Sequence, residues 1–109
     1  MINQKQKIFK TYIDGKYGQI HLRVAANNSN KTRPLLCIHL SPLSGIVYEN
    51  FLKHISNKRR VIAPDTPGYG MSDSPPYPPK ISDYANVMIK LIENIGFNKV
   101  DIIGYGTGS

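Results

Sequence analysis

The chain has 109 residues, with 14 Lys or Arg against 7 Asp or Glu and a formal net charge of +7. A chain of this size buries only about two thirds of the surface it exposes when unfolded, so it holds one small core and not a large enzyme fold with its own lid. Its longest apolar run, Leu35-Leu36-Cys37-Ile38, falls far short of the roughly 20 residues of a bilayer-spanning helix, as does Ile102-Ile103, and no membrane partner is expected.

Residues 1–7 read as an N-terminal tail, basic but without an apolar stretch of signal-peptide length behind it, which places the chain in the cytoplasm. From Ile8 to Asp14 and from Gln19 to Ala25, alternating and β-branched residues flank Gly15-Lys16-Tyr17-Gly18, the pattern of a β-hairpin. Asn27-Asn28-Ser29-Asn30-Lys31 is polar turn material. Pro34 to His39 is a continuous apolar run of buried-strand type. Its single cysteine, Cys37, reads as a small buried hydrophobe and excludes an internal disulfide and every multi-cysteine zinc pattern; no metal site is expected.

Val47, Phe51, Leu52 and Ile55 recur at helical spacing and predict a helix over about 47–56, followed by a strand at Arg60-Val61-Ile62-Ala63. Lys58-Arg59-Arg60 is the only basic run. It lies between helix and strand, where a solvated connection is expected, and without interleaved aromatics it does not point to a nucleic-acid partner. Ser72 to Pro79 carries prolines that forbid helix or central strand and reads as a surface loop.

The second helix is the clearest: Tyr84, Val87, Met88, Leu91, Ile92 and Ile95 lie on one stripe, Ser82 or Asp83 caps its start, and Gly96 fits a left-handed stop. Lys99 to Ile103 is a further short strand. Strands that alternate with helices of this length imply right-handed crossovers and a mostly parallel sheet covered on both faces. In such a sheet chemistry gathers where strand C-termini meet the following loops.

Three of those loops are distinctive: His39-Leu40-Ser41-Pro42-Leu43-Ser44-Gly45, then Asp65-Thr66-Pro67-Gly68-Tyr69-Gly70-Met71-Ser72-Asp73, then Gly104-Tyr105-Gly106-Thr107-Gly108-Ser109. In this order they resemble the N-terminal part of the α/β-hydrolase fold family, in which a His-Gly-x-Pro loop, a Pro-Gly-x-Gly-x-Ser-Asp loop and a Gly-x-Ser-x-Gly nucleophile elbow follow successive strands. The fold class so implied is a partial α/β-hydrolase fold over 8–109, an N-terminal hairpin and then strand, helix, strand, helix, strand, truncated after the fifth strand.

By this resemblance the second loop, with Gly68, Gly70, Ser72 and Asp73 in the fixed positions, is mostly architectural. The first keeps His39 and Pro42 but has Leu40 where the family usually has glycine. His39 orients the loop, and the Ser41 amide is the oxyanion donor. The elbow keeps its flanking glycines, Gly104 and Gly108, and Thr107 lends the second oxyanion amide. Gly106 occupies the nucleophile position and has nothing to attack with.

Ser109 stands outside the motif, on what should be a helical turn, and its direction differs from that of an elbow tip. A dinucleotide-binding turn at Gly104-x-Gly106 would need glycine where Ser109 stands. The family's acid and histidine follow the elbow, whereas His21, His39 and His54 precede it; Asp65 and Asp101 also precede it and are expected in capping or solvated edge roles.

The resemblance implies cofactor-free hydrolysis of esters, amides, epoxides or carbon–halogen bonds in full-length relatives, acting on small-molecule substrates, with this chain an inactive fragment. The alternative is a small non-enzymatic module that self-associates through its exposed terminal strand.

Overall fold

The computed structural model describes residues 8–25, 33–55 and 59–108. The tail 1–7, the polar turn Asn27–Lys31, the end of the first helix at Ser56, Lys58 and Ser109 lie outside the described residues.

A two-residue turn at Lys16-Tyr17 joins β1 (Ile8–Gly15) to β2 (Gly18–Ala25) as the expected antiparallel hairpin, with Gly15 opposite Gly18. β3 (Leu35–Ile38), β4 (Val61–Pro64) and β5 (Asp101–Gly104) are short strands that run parallel to one another, the first two buried and the third largely exposed. β2 joins the hairpin to this set by antiparallel pairing with β4, giving a five-stranded mixed sheet in the order β1-β2-β4-β3-β5.

Side chains alternate across a strand, and both faces of the central strands β3 and β4 are covered. Leu36 of β3 and Ile62 of β4 join Ile20 and Leu22 on the face covered by α2 (Ile81–Ile95), whose Val87, Met88 and Leu91 are buried against them. Leu35, Cys37, Val61 and Ala63 point the other way, onto Leu52 of α1 (Glu49–Ile55) and onto Tyr48. Each large aliphatic side chain buried in this way contributes about 1.5–3 kcal/mol. Burial also pushes the Cys37 thiol up to about 12.

Both helix starts differ from expectation. The first helical segment opens earlier than Val47, as a 3-10 turn over Gly45–Tyr48, because the extended Ser44 turns its hydroxyl back to accept the Ile46 N–H at 3.3 Å. Only Leu52 of the four spaced apolar residues is fully buried, and Val47 is exposed. In α2 the cap position is Lys80, and neither Ser82 nor Asp83 occupies it. Asp83, in the first turn, reaches back instead to accept the Lys80 N–H at 2.8 Å. The stop is the expected one, Gly96 at φ +103.

Arg59 and Arg60 are pinned rather than solvated. Arg59 donates to Asp101 at 2.7 Å and to the Arg33 carbonyl, while Arg60 lies 4.5 Å from the Phe97 ring centroid. Asp101 also meets Arg33 at 3.5 Å, so it is an ion-paired strand start and not simply a solvated edge. Among the described residues no helix is long and apolar enough to cross a membrane.

Candidate active site

The loops after β3, β4 and β5 meet at the strands' C-terminal end. After β3, His39 is buried and its two ring nitrogens are both engaged: Nε2 accepts the Thr66 N–H at 3.0 Å, and Nδ1 lies 2.8 Å from the Leu40 carbonyl. A carbonyl only accepts, so the proton sits on Nδ1. His39 thereby clamps the first loop to the start of the second. The Ser41–Pro42 peptide is cis, Leu43 N–H closes the turn on Leu40 O at 3.0 Å, and the Ser41 hydroxyl donates to the Tyr69 hydroxyl at 2.9 Å.

After β4 the chain enters the Asp65–Asp73 loop, built around a carboxylate expected at a cap or a solvated edge. Asp65 is fully buried. Its Oδ1 accepts the Gly45 N–H at 2.7 Å and Arg23 Nη1 at 3.3 Å; its Oδ2 accepts the Met71 N–H at 2.9 Å and His21 Nδ1 at 3.1 Å. The Arg23 charge and four donors offset the desolvation that makes a lone buried carboxylate costly.

His21 and Arg23 alternate with Ile20, Leu22 and Val24 along β2 and so resemble a solvent face, but the 3-10 turn and α1 cover that side. The available signal was their period-two spacing, opposite a carboxylate at a strand end. Gly70, at φ +54, passes so close that any Cβ there would strike the Asp65 carboxylate.

The same loop is stitched to β2. Ser72 Oγ accepts the His21 N–H at 2.9 Å and donates to Asp65 O at 2.6 Å, while Asp73 Oδ2 accepts the Gln19 N–H at 2.8 Å and its own N–H returns to Gln19 O. Ser72 and Asp73 therefore fasten the loop to β2.

After β5, Gly104 ends the strand and Gly106–Gly108 form a 3-10 turn, closed by Gly108 N–H on Tyr105 O at 2.9 Å. Gly106 sits at φ +58, the left-handed region that an elbow tip requires. Gly108 is forced to be glycine by proximity, since a Cβ there would collide with the Ile38 carbonyl. Thr107 places its backbone between them.

No family model matches the chain. Solved structures do match. The epoxide hydrolase CorEH is 25% identical with a TM-score of 0.85, over 94% of this chain and 35% of that one. A serine-to-glycine mutant of the N-acyl homoserine lactonase AidH, complexed with N-hexanoyl homoserine lactone, is 30% identical with a TM-score of 0.82, over 93% and 38%. A haloalkane dehalogenase from Bradyrhizobium elkanii, the DbeA-M1 loop variant, is 22% identical with a TM-score of 0.83, over 93% and 33%. This chain has the α/β-hydrolase fold. It spans about a third of the length of these α/β hydrolases.

On that fold His39, Ser41 and Gly108 come together at one end of an open, largely apolar cavity of about 570 Å³ between α2 and the sheet, with Tyr69 beside them and Met88 and Ile102 further along. The Tyr84 hydroxyl on its wall is pushed up from its ordinary value, first by burial and then by Tyr69. Leu40 and Gly106 meet directly. The proline loop lies apart from this cavity; its Tyr77 hydroxyl bonds Tyr17 in the hairpin turn at 2.5 Å. Among the described residues no group of three or more His, Cys, Asp or Glu could hold a metal ion.

Proposed function

We propose that this chain forms the oxyanion-and-elbow half of an α/β-hydrolase-type site and that, on its own, it carries out no hydrolysis. The observation that carries the reading is glycine at the tip of the elbow, Gly106 at φ +58. In the parental chemistry a side chain at that tip attacks the substrate and, where the electrophile is a carbonyl, backbone N–H groups hold the oxygen that gains charge. Here those donors are the amides of Ser41 and Thr107, and no side chain projects from the tip. Small-molecule esters, amides, epoxides and halides are the substrate classes of the complete site.

The three histidines are committed elsewhere. His21 bonds Asp65, His39 bonds Thr66 and Leu40, and His54 lies 2.7 Å from the Asn50 carbonyl. None of the three is therefore placed to serve the elbow as general base. A serine-to-glycine form of AidH complexed with a lactone supports the compatibility of a glycine exchange in this fold with ligand binding. The cytoplasm is the proposed compartment, in keeping with one buried thiol and no disulfide.

The purified chain is expected to hydrolyse p-nitrophenyl acetate no faster than buffer. Turnover clearly above buffer that Ser109→Ala abolishes would overturn the reading.

A second reading rests on β5. It is an edge strand with Ile102 60% and Ile103 36% exposed, and such an edge invites pairing with another copy. A monodisperse dimer in size-exclusion chromatography supports a self-associating module, and a monomer at high concentration rejects it.

A further inference from the structure

Positions 40 and 106 lie far apart in the chain, and each departs from the family pattern: leucine where glycine is usual, glycine where the attacking side chain stands. The fold brings the two departures into a single contact. A Cβ built on Gly106 falls 2.9 Å from Leu40 Cβ, 3.6 Å from its Cδ1 and 3.9 Å from its Cγ. Non-bonded carbons rest at about 3.5–4.0 Å, so Leu40 already holds the space into which a residue-106 side chain would emerge.

Neither partner has room to withdraw. The nearest atom is Leu40 Cβ, which moves only with the backbone, and that backbone is held by the His39 ring on Leu40 O and by the Leu43 N–H on the same oxygen. On the other side Gly108 lies against the carbonyls of Ile38 and His39, which fixes how deep the elbow sits.

We infer that Leu40 plugs the elbow tip, so that leucine at 40 and glycine at 106 are one coupled replacement and the nucleophile position is filled rather than vacant. This rests on Gly106 being the elbow tip. It adds that restoring a side chain at 106 requires removing the one at 40, and that the tip is closed to small electrophiles while Leu40 is present.

The test places a thiol at the tip by Gly106→Cys, alone and together with Leu40→Gly, and follows alkylation by iodoacetamide near pH 8 with mass spectrometry. Cys37 is a silent background, buried and with its thiol pushed up to about 12. The introduced thiol is expected to react at least tenfold faster in the double variant. Equal rates overturn the plug and leave the elbow reading intact.

Should Gly106→Cys alone fail to give soluble protein, recovery of folded protein on adding Leu40→Gly supports the coupling. Failure to recover overturns it, because something other than Leu40 then forbids a side chain at 106. Ester turnover by the unaltered chain would defeat the inert-elbow reading by a separate route.

Discussion

The Pro67–Asp73 loop and the Gly104–Gly108 elbow lie at the same end of the sheet, and both contain closely spaced glycines, yet they are held in different ways. The loop is held by named polar atoms: Asp65 gathers Gly45 and Met71 amides with Arg23 and His21, and Ser72 and Asp73 bond β2. At the elbow the backbone passes close to its neighbours, with Gly108 against the Ile38 carbonyl and Gly106 against Leu40. A loop whose hydrogen bonds specify its residues tolerates little change. A tip at φ +58 packed against Leu40 can lose its side chain and leave the sheet standing.

Three substitutions sharpen that contrast, in decreasing order of effect. Asp65→Ala leaves Arg23 buried beside Glu49 alone and removes the acceptor for two amides. A loss of about 3–5 kcal/mol is expected from breaking a buried charge pair on one side, enough to unfold much of the chain. Urea denaturation followed by circular dichroism reads it, and a loss under about 1 kcal/mol would show that the loop is anchored elsewhere.

Asp73→Ala removes one exposed hydrogen bond to the Gln19 amide and is expected to cost about 0.5–1.5 kcal/mol in the same measurement. The smallest effect belongs to Asp101, at the opposite end of β5 from the elbow. Its carboxyl is held below the usual carboxylate value, chiefly by the hydrogen bond from Arg59. A carboxyl depressed in the folded state contributes stability above its unfolded value of about 3.9, and that contribution fades as pH falls through the lower folded value. Asp101→Asn should therefore lower the Tm slightly at neutral pH, leave it unchanged at the acid end, and so flatten the acid side of a Tm-against-pH curve.

Much of the scaffold was legible in the sequence. Gly15 to Gly18 marked the hairpin, the 3-and-1 spacing from Tyr84 to Ile95 marked α2, and the three loop motifs located the end of the sheet where a site belongs. The boundaries that shifted did so through single side chains, Ser44 at the 3-10 turn and Asp83 in the first turn of α2, whose reach depends on a local path that periodicity does not record.

Two features were not legible. The burial of Asp65 depends on Arg23 and His21 arriving from β2, and their alternation with aliphatic residues looks the same whether a strand face meets water or a covering helix. The contact of Leu40 with Gly106 exists only once β3 and β5 lie side by side, so each departure read separately appears as a defect.

The strand order has a consequence for assembly. The hairpin of β1 and β2 needs only neighbouring residues, but β3 pairs with β4 and β5, both of which follow it in the chain. β3 thus leaves the ribosome with no earlier strand to join, and it waits for β4 on one edge and for β5 on the other. Pairings of such long sequence separation slow folding, and until β4 docks the apolar Leu35–Ile38 segment is the stretch most in need of a chaperone.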